Sequence, residues 1–442
     1  MTLYNAVVLY VPSLSLKSVL GISDLVSIGA VGASCLVYCT LGGIKAVIWT
    51  DFFQAALMYL LLICICVSGT LEIGGIGRLF EVGIEGRRLS LENFFDFDLA
   101  TRHTLFTLVT GGVIINIFMN GANQIQVQRA LTLPTLRLAQ WSQLLTALFT
   151  VLISLTASYA GLILFAAYND CDPFANHQID KRDAILIYYV KTHLDGLPGL
   201  RGMFVAGIFA ATLSTLSSFQ NSMSALVLED FIIPLWSEPM DESTQTRLGR
   251  FIALLFGLAC IGLTFIVGRI SGLLQVALTL FGALGAPFIG AFFLGMLTRF
   301  TNSIGMLVGM LFGTSFGIYM QVYQALYLPP LEPTLAISTS GCPALNSTSA
   351  DILIGPTERI GYDIGSMSYL WLPAISLTIT VIVSVVVSLF TGGCHQEVAD
   401  EHLAWWLQKD KQGVDEIHAF RSQKQDLMNQ LKSYVKNARD EF

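Results

Sequence analysis

The chain has 442 residues, of which 54% are hydrophobic and only 12% charged, with a formal net charge of −7. Soluble domains carry about 25% charged residues, so this composition excludes an ordinary soluble domain and describes an all-α, polytopic membrane helix bundle. No basic cluster with interleaved aromatics is present, which excludes a nucleic-acid binder.

A helix needs about 20 apolar residues to cross a bilayer. In chain order, residues 4–20 read as the end of a helix closed by Pro12 and Lys17. Full spans follow at 23–41, 47–71, 104–125, 142–168, 202–228, 249–268, 272–298, 302–324 and 370–391, nine in all. Residues 1–392 thus read as one transmembrane core and 393–442 as a tail. Polar connections fall at 73–101, 126–141, 169–201, 229–247 and 325–369. The last carries a sequon at Asn346, a glycosylation site that puts the loop outside the cell. Counting spans from it places 126–141, 229–247 and the tail in the cytoplasm. Lys and Arg divide almost evenly between the sides, so charge bias adds little. In the tail, Ile417, Phe420, Leu427, Leu431 and Tyr434 recur at helical spacing. They describe an amphipathic helix that packs on a surface or binds a cytoplasmic partner.

Cys35, Cys39, Cys64, Cys66 and Cys260 lie inside spans and read as small buried hydrophobes. Cys171 and Cys342 lie in polar loops, and the two can pair if both loops face outward. All six histidines fall outside the spans. No His-Glu motif, Ser-His pair or aspartate dyad lies within the membrane, so the chain does not read as an enzyme.

Four groups of residues could carry function. Asp51 opens the span 47–71, with Gln54 one turn later on the same face. The pair reads either as an interfacial acid favoured at a helix start or as a cation path supplying a charge and a carbonyl oxygen. In the span 202–228, Ser214, Thr215, Ser218 and Ser222 follow Ala211 by three, four, seven and eleven residues. That spacing makes one helical face. A lipid-facing helix gains nothing from hydroxyls; an ion site or a close helix contact does. Hard cations favour such oxygens, although single serines usually bond back to a carbonyl four residues earlier. In the span 104–125, Gly111–Gly112 with Asn116, Asn120 and Asn123 suggests an interrupted helix, the device by which transporters build a midplane site. Gln275 and Thr279 form a weaker pair, followed by Gly282, Gly285 and Pro287 at a kink.

Taken in order, these segments resemble the sodium:solute symporter family. The resemblance rests on Gly42–Gly43 with Lys45, Trp49–Thr50–Asp51 and Gln54. It continues through Gly121, Asn123, Gln124, Gln128 and Arg129, the block Leu213–Ser218 with Asn221, and the loop Cys171–Asp172–Pro173. The Ser214–Thr215 pair, where sugar carriers tend to have two serines, looks like the branch of sodium-coupled monocarboxylate and multivitamin transporters. The resemblance implies an inverted-repeat, LeuT-like bundle in the plasma membrane, working by alternating access with sodium as coupling ion and no other cofactor. It implies a sodium site at Ala211, Ser214, Thr215 and Ser218, and a sodium path at Asp51 and Gln54. Asn116 falls where the sugar branch contacts substrate, and Met119 where that branch has an aromatic gate, which argues against a sugar. With Asn120 and Gln275, these residues form the candidate substrate set. The family's first helices fall ahead of residue 1, so the chain is expected to be amino-terminally truncated by roughly two to three spans, with an incomplete sodium shell. The expected function is sodium-coupled symport of a small organic anion, a monocarboxylate or a carboxylate vitamin such as biotin or pantothenate. The alternative is a non-transporting sodium sensor or scaffold, or an inactive fragment.

Overall fold

The computed structural model describes residues 1–91, 94–193, 199–236, 240–269, 273–327, 335, 337–342, 367–392 and 403, with residues 20, 38–48 and 325–327 along the backbone only. Asn346 and the amphipathic tail pattern lie outside the described residues. Every regular element among the described residues is helical.

Among the described residues, eight helices are long and apolar enough to cross a membrane. They coincide with eight of the expected spans. The ninth, 23–41, does not stand alone. It is the first part of α2 (Asp24–Ile73), which runs 50 residues through Gly42–Gly43 without a break. At about 1.5 Å per residue that is about 75 Å, against a hydrocarbon core of about 30 Å. Each of the two glycines costs about 1 kcal/mol of helix propensity, but neither takes the left-handed backbone that stops a helix. The stop comes at Gly74 and Gly75, where φ is 101° and 106°.

The first helix, α1 (Thr2–Leu20), also corrects the expectation. Pro12 lies inside it rather than at its end, which is set by Gly21 at φ 70°. Proline has no N–H, so the carbonyl of Val8, four residues earlier, loses its helical partner. The Thr212 hydroxyl of α8 (Leu200–Leu226) donates to that carbonyl at 3.5 Å. A neighbouring side chain thus compensates the proline, the usual remedy within a membrane.

Two compact units divide the chain. One holds Met1–Phe281 with Gln321–Trp371; the other holds Gly282–Met320 with the described residues from Leu372 onward. In the first unit α8 packs on α1, α2 and, beyond the short α9 (Ile233–Leu235), α10 (Glu242–Val267). Its Phe204, Leu216 and Phe219 are almost fully buried. Trp49, Phe52, Leu60 and Ile63 on α2 are exposed, as side chains facing lipid would be.

Still in this unit, α3 (Ile76–Glu85) leads to α4 (Leu105–Ile117), which opens on a capping box between Thr104 and Thr107. It runs unbroken through Gly111–Gly112. The expected interruption lies further on, at a π-turn, Phe118–Ala122, after which Asn123 turns extended and caps α5 (Gln124–Leu131). The two glycines therefore differ. A Cβ on Gly111 would run into the carbonyl oxygen of Leu370, whereas one on Gly112 would meet nothing within 4 Å. Gly111→Ala is expected to lower stability by about 1–3 kcal/mol through overpacking. Gly112→Ala should be neutral or slightly stabilising. Thermal melts of the two purified variants check this, and equal melts would contradict it.

Beyond α6 (Leu136–Ala167), Cys171 is disulfide-bonded to Cys342. Asp172 N–H donates to the Ser338 carbonyl beside it. Such bonds persist in oxidising compartments, which fits both loops facing outward. Cys171→Ser is expected to lower stability by about 2 kcal/mol, the low end of the usual range, because a bilayer already restricts the unfolded chain. A melt indistinguishable from the non-reduced wild type would contradict this.

Near the same loop, α7 (Ile185–Thr192) is braced against the end of α2. Tyr189 OH donates to Glu72 Oε2 at 3.0 Å, and His193 Nδ1 lies 2.7 Å from Glu72 Oε1. Burial and then the bond to Glu72 push the Tyr189 phenol well up; burial pushes Tyr168 up to about 12. Both stay protonated in the fold. Above the unfolded value of about 10 the unfolded chain releases these protons first, so stability held below that pH is lost as pH rises.

In the second unit, α12 (Ala286–Leu297) and α13 (Ser303–Tyr327, through Met320) accompany α14 (Leu372–Phe390). Gly305, Gly309, Gly313 and Gly317 recur every fourth residue on α13. Ser376, Thr380, Ser384 and Ser388 do the same on α14 and are fully buried. A Cβ on Gly309 would stand 2.6 Å from the Thr380 carbonyl oxygen and 2.9 Å from the Ser384 nitrogen. The two backbones touch along this seam, the small-residue packing by which membrane helices associate.

Candidate functional site

Three elements of the first unit meet around Asp51. It lies on α2, at the start of the span Trp49–Ile73. The Arg129 guanidinium, on α5, donates through Nη2 to Asp51 Oδ2 at 2.5 Å. The same nitrogen donates to Ser218 Oγ on α8, also at 2.5 Å. The Ser214 hydroxyl also acts on the Asp51 carboxylate. Asp51 keeps 17% of its side chain exposed, Arg129 49%. Asp51 Oδ1 and Gln54 Oε1 are buried and have no hydrogen-bond partner among the described residues. Buried acceptors are normally satisfied, so these two oxygens on neighbouring turns of α2 are acceptors with unused lone pairs.

α5 is held in place from both sides. Asn123 caps its start by accepting from Ile125 N–H. Gln128 Nε2 donates to the Ser222 carbonyl of α8 at 3.2 Å. That bond keeps the adjacent Arg129 within reach of Asp51.

The hydroxyl stripe on α8 divides in two. Ser214 and Ser218 face Asp51. Thr215 instead bonds back to the Ala211 carbonyl at 3.2 Å, occupying the oxygen that Ala211 offered. This is the local bonding typical of serine and threonine in helices. Ser222 is buried, and its own carbonyl takes Gln128. The proposed sodium set is thus adjacent along one helix, with two members turned to Asp51 and two to each other.

The candidate substrate residues are less gathered. Asn116 and Asn120 line an open groove of about 640 Å³ together with Val113, Gln126, Leu131 and Gln143. Both amides bond locally, Asn116 to the Gly112 carbonyl and Asn120 to that of Asn116. Met119 lies on the π-turn between them but does not line the groove. Gln275 sits on α11 (Leu273–Leu280) and does not line it either. Its carbonyl accepts from Thr279. Beyond α11 the chain forms a π-turn, Phe281–Gly285, and Pro287 lies just inside α12.

Two features escaped the sequence reading. Local spacing assigns Arg129 no role, because its partner is 78 residues away. Phe118, on the π-turn, lies 6.0 Å from Phe281, which in turn lies 4.5 Å from Tyr4. This aromatic trio flanks the break in α4, and nothing in the local spacing signals it.

Residues 1–313 match the Sodium:solute symporter family. Sodium-coupled monocarboxylate transporter 1 of Xenopus laevis is 33% identical over 419 residues, covering 91% of this chain and 67% of that protein. Sodium-dependent multivitamin transporter of Oryctolagus cuniculus is 35% identical over 405 residues, covering 89% of this chain and 63% of that protein. The chain thus spans about two thirds of the length of these relatives. Among solved structures, a sodium-coupled sialic acid symporter in a substrate-bound, outward-open state superposes with a TM-score of 0.66 at 21% identity, covering 87% of this chain and 71% of the other. That likeness shows a shared fold. This chain is a polytopic membrane protein that belongs to the sodium:solute symporter family.

Proposed function

We propose that this protein carries a small organic anion across the plasma membrane together with sodium, without covalent chemistry. The observation that carries the proposal is the cluster of oxygens around Asp51, where a mostly buried carboxylate meets two hydroxyls and its own Oδ1 and the Oε1 of Gln54, one turn on, are buried without a partner among the described residues. Oxygens in this arrangement suit a hard monovalent cation, by analogy with other oxygen-liganded ions. In this reading Ala211, Ser214, Thr215 and Ser218 supply the sodium site, and Asp51 with Gln54 the route by which sodium leaves. Asn116 and Asn120, in the groove beside the broken helix, supply amide donors for a carboxylate. Met119 and Gln275 complete the proposed substrate set. The named relatives support a monocarboxylate or a carboxylate vitamin as the anion. Sodium binding favours the outward-open state, the anion allows closure, and sodium leaves past Asp51 after inward opening.

Labelled lactate, nicotinate, biotin and pantothenate form the test panel. Uptake is measured in sodium and in choline, in cells expressing this chain alone or joined to the first helices of a family member. Sodium-dependent uptake of at least one carboxylate supports the proposal. Surface-localised protein with no sodium-dependent flux in either form contradicts it and favours a sodium sensor or scaffold.

A further inference from the structure

The ion pair at the centre of the site is asymmetric. Asp51 is mostly buried and has one oxygen unsatisfied, whereas the Arg129 side chain is half exposed. Separating them leaves a guanidinium that water can hydrate and a carboxylate that water scarcely reaches. Arg129 is therefore the partner that can leave, and Asp51 the one that needs a replacement. A single nitrogen of Arg129 bridges Asp51 Oδ2 and Ser218 Oγ. Those are two oxygens that a small cation would otherwise share.

We propose that Arg129 is a tethered counter-ion that fills the cation path when sodium is absent and is displaced from Asp51 when sodium enters. The proposal rests on the sodium-coupled reading above and adds a positioning residue to it. Its tether explains a second observation. α5 is eight residues long and follows directly on the break in α4. Gln126, Val127, Ala130 and Leu131 on α5 line the groove with Asn116 and Asn120, while Gln128 and Arg129 reach α8 and Asp51. One short helix thus touches the anion groove with one face and holds the cation path with the other. A shift of α5 as the groove fills withdraws Arg129 from Asp51. By linkage, release of Arg129 by sodium frees α5 to close on the anion.

Competition has a measurable consequence. A site filled by its own counter-ion binds sodium with an affinity reduced by the fraction of time the site is free. Binding of radioactive sodium to the purified protein is measured for wild type, Arg129→Gln and Arg129→Lys. The expected result is a midpoint about tenfold lower in Arg129→Gln and close to wild type in Arg129→Lys, which keeps the charge. A second measurement needs no variant. Phenylglyoxal modifies exposed guanidinium groups, and its rate at Arg129 of the wild type is read by mass spectrometry in sodium and in potassium. Sodium is expected to speed modification of Arg129 and of no arginine remote from Asp51. An unchanged or raised sodium midpoint in Arg129→Gln overturns the proposal, as does a modification rate indifferent to sodium. Sodium binding that persists with either of those outcomes overturns the counter-ion role alone. Absence of any sodium binding by the wild type overturns the sodium-coupled reading with it.

Discussion

Asp51→Asn is expected to reduce sodium-dependent uptake more than about tenfold while leaving the protein folded and at the cell surface. The substitution keeps the size of the side chain and one of its two acceptor oxygens, turns the other into an amide donor, and removes the charge. A sodium ion on the proposed path would then meet dipoles alone, near a guanidinium that has lost its counter-charge. Each tenfold corresponds to about 1.4 kcal/mol, well within what truncating one member of a desolvated charge pair costs. The half-exposed Arg129 regains hydration when released, so folding should survive. Asp51→Glu, which restores the charge one methylene further out, should recover part of the flux. Uptake by Asp51→Asn equal to wild type would mean that Asp51 is only an interfacial acid.

Gly309→Leu is expected to cost about 3 kcal/mol or more of stability, enough to deplete the folded protein after detergent extraction. No side chain fits there, because the Thr380 carbonyl and the Ser384 amide of α14 occupy the space. A flexible side chain could swing aside, but these are backbone atoms of a packed helix. The helices must separate, and with them the buried seam of Ser376, Thr380, Ser384 and Ser388. Gly295→Leu on α12 is the control, since a Cβ there meets nothing within 4 Å. Melting temperatures and monodisperse yield separate the two. Equal behaviour of Gly309→Leu and Gly295→Leu would show that the seam is looser than described.

Apolar length made the membrane spans legible, because the bilayer imposes a minimum that composition cannot disguise. The hydroxyl stripe on α8 was legible for a similar reason: its spacing is set by a single helix. Features that depend on two segments were not. Arg129 and Asp51 are distant in sequence, and a lone arginine next to a polar run looks like a residue leaving the membrane. Four glycines on α13 and four small hydroxyl residues on α14 carry the same period, yet only their contact shows that one ridge fits the other. Paired glycines misled twice. The expected spans part at Gly42–Gly43 and the expected break lies at Gly111–Gly112, but glycine permits an interruption without demanding it. The helices stop instead where φ turns positive at Gly74, and where the π-turn meets Asn123.

The most direct test of sodium coupling is uptake into liposomes carrying the purified protein, with and without an inward sodium gradient. Ser214→Ala and Thr215→Ala serve as variants, and the carboxylate is the one that gives the strongest signal in the cellular panel. The account predicts accumulation above the external concentration that collapses when the sodium gradient is dissipated and is lost in both variants. Carboxylate entry that proceeds equally without a sodium gradient, or that is untouched by either substitution, would contradict it.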